Sequence, residues 1–206
     1  MPETMSAAFD AAVDSLRRAG WMIVIGGEQE PDSGSMLAVN GDLDAAFDPS
    51  GDLTVPLELR WRGVAADAQV AFAAQDLILV VPLDEEEGTA TVLPQGTPER
   101  DLQVVLRSLA DLRSRGYVAE AALAYTATDA WQAARSRGDG SKVVFWTTQA
   151  HEDAFDEDTD LVGELALQWA GDADEIASVL AATDLNVQVP GSADEVFYLT
   201  PNYVED

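Results

Sequence analysis

Residues 44–82, DAAFDPSGDLTVPLELRWRGVAADAQVAFAAQDLILVVP, and residues 152–190, EDAFDEDTDLVGELALQWAGDADEIASVLAATDLNVQVP, have the same length and align without a gap at a shift of 108. Sixteen positions are identical, among them Phe47/Phe155, Asp48/Asp156, Asp52/Asp160, Leu57/Leu165, Leu59/Leu167, Trp61/Trp169, Gly63/Gly171 and Asp76/Asp184. Upstream, Leu16-Arg17-Arg18-Ala19-Gly20-Trp21 answers Leu112-Arg113-Ser114-Arg115-Gly116-Tyr117 at a shift of 96. Downstream, Val92-Leu93-Pro94 answers Leu199-Thr200-Pro201. Self-similarity at a fixed offset is the mark of a repeated structural unit. The reading is therefore a tandem duplication, with a first module over 1–95 and a second over 96–206.

Each module helps to read the other. Thr97-Pro98-Glu99 opens a helix, Leu102, Val105, Leu106, Leu109 and Leu112 make its apolar stripe, and Gly116 ends it. Phe9, Ala12, Val13, Leu16 and Gly20 form its counterpart. Strands follow at 21–25 and 118–125, then at 36–39 and 143–147, with an extra helix over Thr128–Gly138 presenting Trp131 and Ala134. The alternation Leu53, Val55, Leu57, Leu59, Trp61, mirrored by Leu161, Leu165, Leu167, Trp169, marks a half-buried strand. Residues 64–75 alone are ambiguous between strand and helix. Their partner opens with Asp172-Ala173-Asp174-Glu175, a capping-box pattern, and continues with Ile176, Val179 and Leu180, so both are read as helices. Short strands at 77–81 and 186–189, and at 89–93 and 195–199, complete the modules.

The fold expected is α+β: two ferredoxin-like sandwich modules, each an antiparallel sheet with helices on one face, related by a pseudo-twofold. The first module is expected to lack the first crossover helix, its link over 28–35 allowing its first two strands to pair antiparallel. The modules are expected to pack side by side or to share a sheet.

Thirty-eight acidic residues face eleven basic ones, giving a net charge of −27, and Lys142 is the sole lysine. Such a polyanion repels phosphate backbones and anionic lipid, which disfavours nucleic-acid and membrane partners. The acidity suits either salt or genome adaptation or a basic protein partner. The chain contains no cysteine, which removes disulfides, thiolate metal sites and cysteine nucleophiles. Residues 1–10 have no basic and no apolar leader segment, and apolar runs such as Leu77 to Val81 are far short of a membrane span. A cytoplasmic protein, monomeric or homodimeric, is expected.

No catalytic residue stands out and no cofactor is expected. His151, the single histidine, reads as a solvated loop residue, with Leu43 at the equivalent position. Asp153, Asp156, Glu157, Asp158 and Asp160 form the densest acidic loop. Asp156-x-Asp158-x-Asp160 starts like a calcium loop, but Leu161 and Leu167 stand where a glycine and a bidentate glutamate belong. Asp156, Asp158, Asp160 and His151 are thus only an alternative, a weak carboxylate site for a divalent cation serving a hydrolase. The aspartates kept in both modules are expected to make turn or cap hydrogen bonds. Gly138-Asp139-Gly140-Ser141-Lys142 follows a helix and precedes a strand, the reverse of a phosphate loop, and Gly26-Gly27 reads as a turn. Trp21, Trp61 and Trp169 are expected in the core. Trp131 and Trp146, with Asp153, Asp156, Glu157 and Asp158, are the candidate partner-binding residues.

Leu112-Arg113-Ser114-Arg115-Gly116-Tyr117, Val143-Val144-Phe145-Trp146 with Gln149, and Asp184-Leu185-Asn186-Val187-Gln188-Val189 together resemble an uncharacterised family of small acidic actinobacterial proteins, over about residues 100–200. That family tends to carry histidine and aspartate near the third strand, where this chain has Thr147-Thr148-Gln149. The resemblance implies a fold and no activity. The ribonuclease E inhibitor B family is similar in topology only. The functional expectation is a non-enzymatic protein-binding module, of inhibitor or immunity type, for a basic partner.

Overall fold

A computed structural model describes residues 4–25, 33–39, 43–81 and 87–202. The chain divides into two compact units, Met1–Pro98 and Glu99–Asp206. The elements within them follow a similar order.

In the first unit, α1 (Met5–Arg18) is followed by β1 (Met22–Ile25), β2 (Met36–Val39), the short α2 (Leu43–Ala46), β3 (Leu57–Arg62), α3 (Ala65–Ala73), β4 (Leu79–Val80) and β5 (Glu87–Val92). The five strands form one sheet in the order β1-β2-β3-β5-β4. In the second unit, α4 (Asp101–Ser114), β6 (Val118–Glu120), α5 (Ala127–Arg137), β7 (Val143–Phe145), α6 (Thr148–Ala154), β8 (Leu165–Ala170), α7 (Ala173–Leu180), β9 (Asn186–Gln188) and β10 (Phe197–Thr200) build a second sheet in the order β6-β7-β8-β10-β9. Both units are α+β.

Each sheet is mixed rather than antiparallel, which corrects the expectation. β1 runs parallel to β2 and β6 parallel to β7, while the other pairs are antiparallel. A helical crossover, α5, joins β6 to β7 as parallel neighbours require. In the first unit the parallel pairing overturns the antiparallel alternative. The expected lack of a crossover helix there, and the turn at Gly26-Gly27, lie outside the described residues. The antiparallel part holds the split arrangement: β3-α3-β4 straddles β5, and β8-α7-β9 straddles β10.

The alternation along β3 buries Leu57, Leu59 and Trp61 and exposes Glu58 and Arg60. On β2, Leu37 lies opposite Trp61 and Val39 opposite Leu59, so these four share a face. Phe9, Leu16 and Phe72 of α1 and α3 join the same core cluster, as does Leu79 of β4. Burying each such side chain stabilises by about 1.5–3 kcal/mol. In β8 the same positions bury Leu165 and Leu167, and Leu167 lies opposite Phe197. Trp169 is only half-buried, edge-on to Phe197 at 5.6 Å, and its Nε1 donates to the Glu195 carbonyl; Trp61 is 1% exposed with no partner at Nε1. The two tryptophans occupy the same register but differ in solvent contact.

The second unit covers its other sheet face as well. Ala130 and Ala134 of α5 pack on Val143 and Phe145, with Trp131 against the same cluster. Helices therefore lie on both faces there, not on one. Strand β6 ends at Glu120, earlier than expected, because Ala122 takes a left-handed conformation at φ 44. The capping box is half realised. Asp172 accepts from the N–H groups of Asp174 and Glu175, but the Asp172 N–H donates to the Tyr117 hydroxyl, and Glu175 accepts from that hydroxyl and pairs with Lys142. Gly171, at φ 127, leaves no room for a side chain beside the Tyr117 ring.

One polar group was not anticipated. Glu120 is 6% exposed on β6. Its carboxylate pairs with Arg113 of α4 at 2.7 Å and Arg137 of α5 at 2.8 Å. Removing one partner of a buried ion pair costs several kcal/mol, because the remaining charge stays desolvated. Arg113→Met is expected to lower unfolding stability by about 3 kcal/mol. The equivalent Arg17→Met, at an exposed pair, should cost less than about 0.5 kcal/mol. Urea titrations of the two variants compare them directly.

Candidate functional site

The acidic loop is a tight hairpin closed by a bridge between Phe155 and Leu161. The Asp156 N–H donates to the Asp160 carbonyl at 3.1 Å, and Oδ1 of Asp156 accepts from the N–H groups of Asp158 at 3.0 Å and Asp160 at 2.9 Å. Asp48 does the same in the first unit, accepting from Ser50 and Asp52. The Ser50 hydroxyl, then the Asp52 amide, hold the Asp48 carboxyl below the usual carboxylate range. The role expected for these aspartates, organising the turn, is the one they have.

The loop is strapped to the start of α4. The Thr159 carbonyl accepts from the Leu102 N–H at 3.1 Å, the Asp101 carboxylate accepts from the Leu161 N–H at 2.9 Å, and Asp160 pairs with Arg100. In the first unit the Gly51 carbonyl accepts from the Ser6 N–H at 2.9 Å, at the matching place. Asp153, at the end of α6, and Asp156, Glu157 and Asp158 are exposed around this rigid turn. They form one acidic surface on a turn held by several main-chain hydrogen bonds. An open cleft of about 480 Å³ beside it is lined by Asp101, Asp156, Asp160 and Asp184 together with Leu185 and Pro201.

The alternative metal set is not assembled. Among the described residues there is no group of three or more His, Asp or Glu side chains placed to hold an ion. One oxygen of Asp156 is already occupied by two amides and Asp160 by Arg100, while His151 points elsewhere. That histidine sits on α6, not in a solvated loop. Its ring lies 4.9 Å from Phe155, and Nδ1 is buried without a hydrogen-bond partner. Burial pushes its pKa down to about 4. Leu43, the equivalent in the first unit, also packs against its core. His151 therefore serves as a neutral packing residue.

The two tryptophans part company. Trp146 is wholly buried, which removes it from any partner surface; it follows Phe145 on the face that Val144 shares with Trp169. The register places it where the first unit has Val39, a match that the sequence alignment did not reveal. Trp131 is half-buried, edge-on to Phe145 at 5.1 Å, with the Arg135 guanidinium 5.8 Å above its ring. Of the six candidate partner-binding residues, the four acidic ones are brought together around the loop. Trp131 lies on a different helix, α5. The segment 138–142 is a turn built on Asp139, whose carboxylate accepts from the Ser141 N–H and hydroxyl. Sequence reasoning missed the Glu120 cluster; its signal was one carboxylate inside an apolar strand with arginines at the ends of both adjacent helices.

Comparison with known proteins finds no matching family model, no matching curated protein and no matching solved structure. No helix among the described residues is long and apolar enough to cross a membrane.

Two outcomes test this geometry. Thr159 holds φ 67 where Gly51 holds φ 85, and a β-branched residue is strained there. Thr159→Gly is expected to raise stability by about 1 kcal/mol in a urea titration. The His151 pKa is lower folded than unfolded, so the unfolded chain binds more protons between pH 6.5 and about 4. Its contribution is fully present above pH 6.5 and is lost as pH falls towards 4, up to about 3 kcal/mol. His151→Leu should flatten that part of the stability profile measured by thermal melts against pH.

Proposed function

We propose that this chain is a non-enzymatic binding protein for a basic protein partner, acting as an inhibitor or immunity-type factor. The observation that carries the reading is the exposed surface of Asp153, Asp156, Glu157 and Asp158 on a turn whose backbone is pinned at both ends. Carboxylates carried on a fixed backbone cost little main-chain entropy on meeting a cationic surface, and the net charge of −27 speeds encounter within about a Debye length. Nothing in the loop supplies a nucleophile beside a base. The single histidine is desolvated and held neutral.

We further read the two units as products of one duplicated α+β module of ferredoxin-like kind. The matched sheet orders support this, as do the paired bridges Phe47–Leu53 and Phe155–Leu161 and the paired carbonyl-to-helix hydrogen bonds from Gly51 and Thr159. The likeness to the actinobacterial family adds a fold and no activity. A cytoplasmic setting fits the absence of cysteine.

The experiment is capture on the immobilised full-length chain at low salt, followed by kinetics with the captured protein. The expected partner is basic. Its association rate should fall roughly three- to tenfold in the Asp153→Asn, Glu157→Gln, Asp158→Asn triple variant, with a shallower salt dependence. A partner of neutral or acidic character, or a rate indifferent to salt and to these substitutions, overturns the reading.

A further inference from the structure

The two sheets differ at their first strands, and the difference is chemical. In a parallel ladder, residues that bond to the neighbour alternate with residues whose N–H and C=O point away. The Val118 N–H donates to the Lys142 carbonyl at 2.9 Å, so Ala119 faces outward from the β6 edge. That edge is capped at its carbonyl: Arg113 Nε donates to the Ala119 carbonyl at 2.6 Å, while its Nη2 is held by Glu120. In the first unit the Met22 N–H donates to the Ser35 carbonyl at 2.9 Å, so Ile23 and Ile25 face outward from β1. No described side chain closes that edge. Arg17, which stands where Arg113 does, donates instead to Asp14 at 2.9 Å. The reason is local: Asp14 has Ala110 as its counterpart, and Val24 stands where the second unit has Glu120. The open strand, Met-Ile-Val-Ile, carries no charge and no proline, with Met22 50% and Ile25 39% exposed.

Natural sheets blunt their edges with charged side chains, covers or bulges, and an open apolar edge is a template for an added strand. We infer that β1 is a docking edge that takes up an extended segment of the basic partner as a sixth strand of the first sheet. Main-chain hydrogen bonds to Ile23 and Ile25 supply affinity and the flanking side chains supply choice. The basic character of the segment rests on the function proposed above; the open edge does not. A second copy of this chain is the poorer occupant, because pairing two molecules of charge −27 brings like charge together.

The test uses the full-length, isotopically labelled chain and a capped peptide of about eight residues with alternating lysine and valine. Amide exchange at Ile23 and Ile25 should slow about tenfold or more on saturation, with Met22 and Val24, already bonded to β2, little changed. Ile25→Pro removes an outward N–H without breaking a ladder bond and should abolish this protection and the anisotropy change of labelled peptide. Ile25→Lys keeps the N–H but sets a cation at the edge, and should weaken binding several-fold should the proline variant fail to fold. Peptide that binds without slowing Ile23 and Ile25, and that is lost in the acidic-loop triple variant, overturns edge docking while leaving the acidic-surface reading intact. Absence of binding up to about 1 mM overturns edge docking, and the capture experiment then decides the broader reading separately. Self-association in sedimentation that Ile25→Pro abolishes also overturns it, because the occupant is then a second copy.

Discussion

The central strand of each sheet, β3 or β8, sets the constraint on which each unit is built. It is bonded on both sides by antiparallel neighbours, and its alternate residues are buried under helices. A slip of one residue would turn Leu57, Leu59 and Trp61 away from the helices and bring Glu58 and Arg60 under them. That penalty fixes the register of β2 and β5 against β3. The loop before the strand follows from the same constraint: Phe47 and Leu53, or Phe155 and Leu161, must meet before the strand can start in phase. Asp48 and Asp156 then fold the intervening residues by accepting main-chain amides. The turn therefore places the acidic side chains, and it is positioned by apolar side chains packed against the core, Leu53 and Leu161 buried and Phe47 partly so.

Much of this architecture was legible in the sequence because period-two burial leaves a pattern that two aligned segments reinforce. The helical reading of residues 64–75 came from its partner alone, since alanine-rich composition has no period of its own. What was not legible depended on contacts between distant segments. Trp146 looked like a surplus aromatic because its equivalence to Val39 exists only in the strand register, not in any alignment of letters. His151 looked solvated because it sits among acidic residues, yet α6 turns its ring onto Phe155. The parallel pairing of β1 with β2 was hidden by a short link, whose length alone suggested a hairpin. Glu120 was passed over since a carboxylate in a strand is normally exposed; here two arginines from two helices surround it. The acidic loop was the most readable part of the candidate site, because turn-forming aspartates act over three or four residues.

The charge of the chain is thus of two kinds. Asp48, Asp139, Asp156 and Asp172 are spent on main-chain amides, and Asp101 holds the hairpin to α4. Those carboxylates would be present whatever the protein binds. Asp153, Glu157 and Asp158 make no such contact with any described residue and face solvent. Like charges held this close raise the energy of the free surface. A cationic surface relieves that repulsion, which gives these residues a reason to be acidic that turn geometry does not supply.

The edges of the two sheets show how little sequence separates a closed surface from an open one. A short ion pair within one helix competes with a longer reach to the sheet, and it wins wherever the carboxylate is available, since fewer rotamers are frozen. Asp14 therefore keeps Arg17 on its own helix, whereas Ala110 leaves Arg113 no such partner and Glu120 draws it to the strand. Arg137 of α5 pairs with the other oxygen of the same carboxylate, so two helices converge on Glu120 beside the β6 edge. An edge kept open across matched positions is thus the outcome of two side-chain choices, Asp14 and Val24. Among the described residues no side chain reaches the β1 edge, whereas Arg113 covers the Ala119 carbonyl at the β6 edge.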